Sequence, residues 1–202
     1  MSWNYWLLIL SLAALFLTFQ VAISKLLCFY LQDIYIGKFV YTVWLKRKTW
    51  MNIVIGGLAG SFAVLVGSAA AGASFATAPL ILSVVLFLWT PPHFWALAIF
   101  CKDDYAKASI PMLPLVASDS ITVQAIFWHT LVLVLLSFSL IFFGMHWVYL
   151  AFAIAGGFYF LYHSIQLMIK KTPEWAKKTF FASIIHLALL LLGTVIDAMI
   201  FA

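Results

Sequence analysis

The chain has 202 residues, 66% of them hydrophobic and 8% charged, with a formal net charge of +5 and a mean hydropathy of +1.13. Soluble domains carry roughly 25% charged residues, so this composition excludes a soluble enzyme or nucleic-acid-binding module and defines a polytopic membrane protein. Its two cysteines, Cys28 and Cys101, are too few for a disulfide framework and lack the spacing of a zinc site.

In chain order, seven apolar segments run approximately 3–24, 27–44, 53–72, 79–100, 121–143, 147–169 and 179–201. A membrane-crossing helix needs ~20 apolar residues, and the segments approach or exceed that length. The first is too long for the apolar core of a signal peptide and has no basic stretch ahead of it or clear cleavage site, so it is expected to be a span. There is no low-complexity tract and no convincing internal repeat. The expected fold is an all-α, polytopic helical bundle of about seven transmembrane helices, a single domain over 1–202.

The second segment contains Asp33 and Lys38, whose i,i+5 spacing is poor for a direct helical pair; a structural or cavity-lining role is expected. In the third, the small residues Gly56-Gly57 to Gly60 and Gly67 to Ala73 predict close helix packing. The fourth runs into WTPPHFWALAIFCKDDYAKASIPMLP, residues 89–114, which hold four of the six prolines. Proline removes a backbone donor and clashes with the preceding turn, so a break at Pro91-Pro92 is expected. Within a bilayer such a break is tolerated only against protein or a water-filled cavity.

The connection 101–120 carries Lys102, Asp103, Asp104 and Lys107. Magnesium is usually held by one or two carboxylates together with substrate phosphates and water. Asp103 and Asp104 at a membrane mouth are therefore suited to the Mg²⁺-diphosphate of a prenyl donor whose apolar tail lies among the helices. The pair reads equally as ordinary charges on a solvated loop.

Counting connections from the N-terminus, the second carries Lys46, Arg47 and Lys48, the fourth Lys102 and Lys107, and the sixth Lys170, Lys171, Lys177 and Lys178. Nine of the eleven basic residues thus fall on one face. Cytoplasmic loops carry the Lys/Arg excess, which makes the even connections and the N-terminus cytoplasmic. Trp175 is expected at the interface of that face. The positive charge is therefore mostly topological, although Lys46 to Lys48 share the face of Asp103 and Asp104, where a phosphate-bearing substrate could be gripped.

His93, His129, His163 and His186 lie six to nine residues inside the cytoplasmic ends of their spans. At ~1.5 Å per residue this predicts one layer roughly 9–13 Å deep. Intramembrane ionisable groups are functional candidates and histidine is a common haem ligand; four separately hydrogen-bonded histidines fit the same pattern. Asp197 is expected at the opposite interface.

The stretch WTPPHFWALAIFCKDDYAKASIPMLPLV closely resembles the signature region of the haem O synthases, the protohaem farnesyltransferase branch of the intramembrane UbiA-type prenyltransferases. YTVWLKRKTWMNIVIGGLAG, FLYHSIQL and TFFASIIHLALLLLGTVID resemble further segments of that family in the correct order, from about Phe29 to Asp197. The resemblance implies farnesyl transfer from farnesyl diphosphate to the vinyl group of haem B, with Mg²⁺. It implies a bundle of about nine helices around a cavity. Lys102, Asp103 and Asp104 then form the catalytic second polar loop, with Asp104 preferred as metal contact because it matches the KDY unit that includes Tyr105. Lys46 and Arg47 match the family's LKR and neutralise diphosphate, and His93 faces the cavity near the haem.

The family's first Asp-rich motif, of the N-x-x-x-D-x-x-x-D kind, has no counterpart here. Asn4 is present, but no aspartate precedes Asp33. The match therefore corresponds to the last seven helices of the usual nine, and a separate N-terminal piece or haem-pathway partner is an expected complement. SFAVLVGSAAAG also stands where relatives have a proline pair followed by GW or GY. The alternative reading is a non-catalytic membrane haem-binding or haem-handling protein that uses the histidines. The expected membrane is the bacterial cytoplasmic one, with the mitochondrial inner membrane as alternative.

Overall fold

The computed structural model describes residues 25–35, 45–73 and 76–201. The first apolar segment, Lys38 and the side chain of Asp33 lie outside the described residues. The helices are α1 (Lys25–Ile34), α2 (Asn52–Ala70), α3 (Thr77–Phe100), α4 (Lys102–Lys107), α5 (Leu113–Val116), α6 (Asp119–Phe138), α7 (Trp147–Lys170) and α8 (Pro173–Phe201), with a 3-10 turn at Ser139–Phe143 after α6. Five helical segments are long and apolar enough to cross a membrane: α2, α3, α6 with its 3-10 extension, α7 and α8. They coincide with the last five apolar segments, so the all-helical polytopic bundle stands.

Helix α3 is the hub, packed against α2, α6 and α8, and α7 packs between α6 and α8. Its 24 residues run unbroken through Pro91 and Pro92, which corrects the expected break. An interior proline costs ~3 kcal/mol through a lost bond and a clash. In a bilayer, however, unwinding strips more backbone groups of partners than the prolines do, and neighbouring helices and hydroxyl side chains absorb the defect. Both prolines are buried by such neighbours, and Thr90 Oγ1 bonds the Leu86 carbonyl at 3.0 Å.

The α7–α8 pair is joined by a tight reversal. Lys171 takes a left-handed conformation (φ 52°), and Pro173 starts α8, where its fixed φ suits a first helical turn. On α7 the buried positions include Ala153, Gly156, Gly157, Phe160, Ser164 and Leu167; on α8 they include Ala176, Thr179, Ser183, His186, Leu190 and Gly193. Both sets recur at three- and four-residue steps, so one stripe of each helix faces the bundle. The opposite face of α8 exposes Leu192, Val195 and Met199, as a lipid-facing surface would.

Glycine sets how closely helices approach. A Cβ on Gly193 would stand 2.7 Å from Phe152 Cβ, and one on Gly57 would stand 3.0 Å from Thr90 Cβ. Close packing was expected along all of 56–73, but Gly67 has nothing within 4 Å. The tightest contacts instead lie at Gly157 and Gly193.

Candidate functional site at the polar end of the bundle

The charged connections gather at one end. Asn52 Nδ2 donates to the Lys46 carbonyl at 3.1 Å, and the adjacent Ile53 packs with Met112 and Tyr105 of the 101–117 connection. Lys177 Nζ lies 5.2 Å from the Phe100 ring centre, and Lys171 Nζ is 3.5 Å from Ser120 Oγ. The second, fourth and sixth connections are thus neighbours, as their shared charge predicts. Trp175 lies there too, under Lys178 Nζ at 4.5 Å.

The 101–120 connection is partly helical. Helix α4 carries Asp103 and Asp104 in its first turn and Lys107 in its last, an order that suits the helix dipole. Lys102, Asp103, Asp104 and Lys107 line a polar pocket of about 450 Å³, closed on one side by Pro173. Among the described residues neither carboxylate makes a hydrogen bond or an ion pair. Lys102 Nζ stands 3.6 Å from Asp119 Oδ1, with both side chains half or more exposed. That partner was not anticipated, although Ser118-Asp119 is a recognisable helix start: Ser118 Oγ accepts from Ile121 N–H at 3.3 Å.

A second cavity, of about 550 Å³, lies on the other side of the same connection. Its walls include Trp50, Val54, Trp95, Leu113, Val116 and His129, and it is almost wholly apolar apart from the imidazole. Nothing in the sequence pattern flags it, because its walls come from four separated stretches.

Of the other sequence candidates, Lys46 is half-buried and Arg47 exposed on the turn before α2; neither lines the acidic pocket. Tyr105 is half-buried with its ring in the Ile53 and Met112 cluster. His93 lines neither cavity. Its ring stacks between Trp89 at 4.2 Å and Phe180 at 4.5 Å, and its Nδ1 shares a 2.7 Å hydrogen bond with Ser183 Oγ.

The four histidines do not converge as a layer of ligands. His163 lies level with Thr179, whose hydroxyl donates to the His163 carbonyl at 3.1 Å. His93 lies level with Ser183, and His186 is fully buried beside Phe160. Along α8 this spreads these three over about 10 Å at the helical rise, while His129 meets Trp95 of α3 edge-on at 5.2 Å. Among the described residues no three His, Cys, Asp or Glu side chains form a metal-binding group.

Asp197 is not interfacial in the solvated sense. It is 1% exposed, and its carboxylate accepts from the His146 and Tyr149 backbone N–H groups at 2.9 and 3.0 Å. It serves as a remote cap for α7, and lines a smaller pocket with His146 and Phe201.

Five apolar helices, with two adjacent carboxylates and flanking lysines lining a pocket at one end, define a multi-pass helical membrane protein. The chain matches the model of the UbiA prenyltransferase family over residues 2–190, and it belongs to that family. It is 46% identical over 198 residues to protoheme IX farnesyltransferase 2 of Paramagnetospirillum magneticum, covering 98% of this chain and 69% of that protein. Against the protoheme IX farnesyltransferase of Synechocystis sp. it is 44% identical over 192 residues, covering 92% of this chain and 59% of that protein. With the Roseiflexus castenholzii protoheme IX farnesyltransferase it shares 44% identity over 164 residues, which is 31% of that protein. The chain thus spans only part of each of these relatives. No solved structure matches it.

Proposed function

We propose that this chain takes part in transferring a farnesyl group from farnesyl diphosphate to haem B, giving haem O. One observation carries this reading: Asp103 and Asp104 make no hydrogen bond or ion pair among the described residues and line a lysine-flanked pocket, in a chain 46% identical to a protoheme IX farnesyltransferase. In this reading Lys102, Asp103 and Asp104 are catalytic and Asp104 is the main metal contact.

Two exposed carboxylates are too few to cage a metal alone, but they are hard oxygen donors suited to Mg²⁺ when substrate phosphates complete its shell. The bound ion supplies positive charge to the leaving diphosphate. Lys102 and Lys107 hold the same anion directly, and stabilising charge that develops in a transition state is usually a large catalytic contribution. Lys46 and Arg47 bind substrate anion at the same end of the bundle. Tyr105 fixes the connection against Ile53. His93 is assigned to holding α3 against α8 through Trp89, Phe180 and Ser183.

The reading places the protein in the bacterial cytoplasmic membrane, with the charged connections on the cytoplasmic side; the mitochondrial inner membrane is the alternative. The test is haem farnesylation in membranes containing the chain, Mg²⁺, haem B and farnesyl diphosphate. It is run with the chain alone and with the part of the Paramagnetospirillum relative that this chain does not match co-expressed. Product in either arm supports the reading; product only in the second identifies a separate N-terminal piece as partner. Haem binding without product in both arms would leave a non-catalytic haem-handling protein.

A further inference from the structure

The acidic pocket accounts for the diphosphate and leaves the 550 Å³ apolar cavity without an occupant. Apart from the indole N–H groups of Trp50 and Trp95, the polar side chain in this wall is His129, which sits on α6 one turn after Ala125. His129 Nδ1 lies 2.8 Å from the Ala125 carbonyl oxygen. A carbonyl only accepts, so in the neutral ring the proton is on Nδ1 and the lone pair on Nε2. That Nε2 makes no hydrogen bond to a described protein group. Trp95 meets the ring edge-on at 5.2 Å, which fixes its plane. A backbone carbonyl that holds one ring nitrogen while the other stays free is the usual preparation of a metal-ligating histidine.

The rest of the cavity fits the same ligand. Trp50, Val54, Trp95, Leu113 and Val116 offer aromatic and aliphatic walls. Trp50 and Met51 on its wall lie on the stretch that leads into α2. A flat, largely apolar macrocycle with a metal at its centre matches walls and nitrogen together. A prenyl or acyl chain matches the walls but has no use for the nitrogen.

We propose that this cavity docks the iron porphyrin, with His129 Nε2 as axial ligand to the iron. The proposal rests on the farnesyl-transfer reading and adds a location for the acceptor. It also explains the geometry of the 101–117 connection. Its first half lines the acidic pocket and its second half, through Leu113 and Val116, lines this cavity. Trp95 in the cavity and Ile99 in the acidic pocket are one helical turn apart, about 6 Å along α3, which brings acceptor and donor together.

The test is titration of the full chain in nanodiscs with haem B, followed by visible absorption and by electron paramagnetic resonance of the ferric form. The wild type is expected to give a histidine-ligated spectrum. His129→Ala is expected to lose it and to bind haem at least about tenfold more weakly, and added imidazole to restore it, which requires an intact cavity. Ala117→Trp, which fills the cavity from its wall, is expected to weaken binding without touching His129. A histidine-ligated spectrum that persists in His129→Ala, or is lost in His93→Ala instead, would overturn the proposal. So would displacement of haem from the cavity by farnesyl diphosphate, which would give the cavity to the prenyl chain. No haem binding by the wild type overturns it too, while a positive farnesylation assay would then keep the functional reading. Ligation through His129 without any farnesylated product would do the reverse.

Discussion

Asp197, near the end of α8, accepts hydrogen bonds from the Tyr149 N–H at 3.0 Å and the His146 N–H at 2.9 Å, so the last turn of one helix caps the first turn of its neighbour. The first N–H groups of a helix have no partner within it, and His146 provides no side-chain cap of its own. Removing the carboxylate leaves two donors without their acceptor. Asp197→Ala is therefore expected to destabilise the bundle by about 2 kcal/mol, with Asp197→Asn intermediate. Thermal unfolding in detergent checks this. An unchanged melting temperature in Asp197→Ala would mean that the cap does not bear on stability.

Glycine substitutions separate packing from composition. At Gly193 a new Cβ meets Phe152 Cβ, an atom fixed to its backbone, whereas at Gly157 it meets Val134 Cγ1 at 2.8 Å, which a rotamer change can move. Gly193→Ala is expected to cost about 1–3 kcal/mol by overpacking, and Gly157→Ala less. Gly67→Ala meets nothing within 4 Å and is expected to stabilise by about 0.5–1 kcal/mol through helix propensity. The same unfolding measurement ranks the three.

Asp104→Asn is expected to lower farnesyl transfer on the order of 10²-fold, the scale of removing one group that stabilises transition-state charge. Mg²⁺-dependent binding of diphosphate should weaken far more than haem binding does. Isothermal titration with each ligand tests this, and equal loss of both, or of neither, would defeat the assignment.

Lys102 is held by Asp119 at 3.6 Å in an exposed pair, and exposed pairs contribute about 0–1 kcal/mol. Asp119→Asn is expected to leave stability nearly unchanged and to lower the KM for farnesyl diphosphate by freeing the lysine. A raised KM would mean that Asp119 positions Lys102 for the substrate.

Local pattern and tertiary context part at two places above all, Pro91-Pro92 and Asp197. At Pro91-Pro92 the residue rule is correct for an isolated helix, but α2, α6 and α8 enclose α3 and keep its helix intact. At Asp197 the sequence shows a carboxylate near a span's end, which suits an interface. What buries it is the return of α7 beside α8, 51 residues away for His146. The acidic pocket was legible because Lys102, Asp103, Asp104 and Lys107 are contiguous. The apolar cavity was not, because Trp50, Trp95, Leu113 and His129 become neighbours only after four stretches pack.

The sequence by itself determined the membrane class, the last five spans and the end of the bundle where charge collects. These depend on run length and on counts of charged residues, quantities that each segment carries alone. Only the tertiary structure decided which helices touch, where the cavities open and which histidine lines the apolar one. Those depend on distances between residues far apart in the chain, and the contacts that fix them, such as Gly193 against Phe152, are set by shape rather than by pattern.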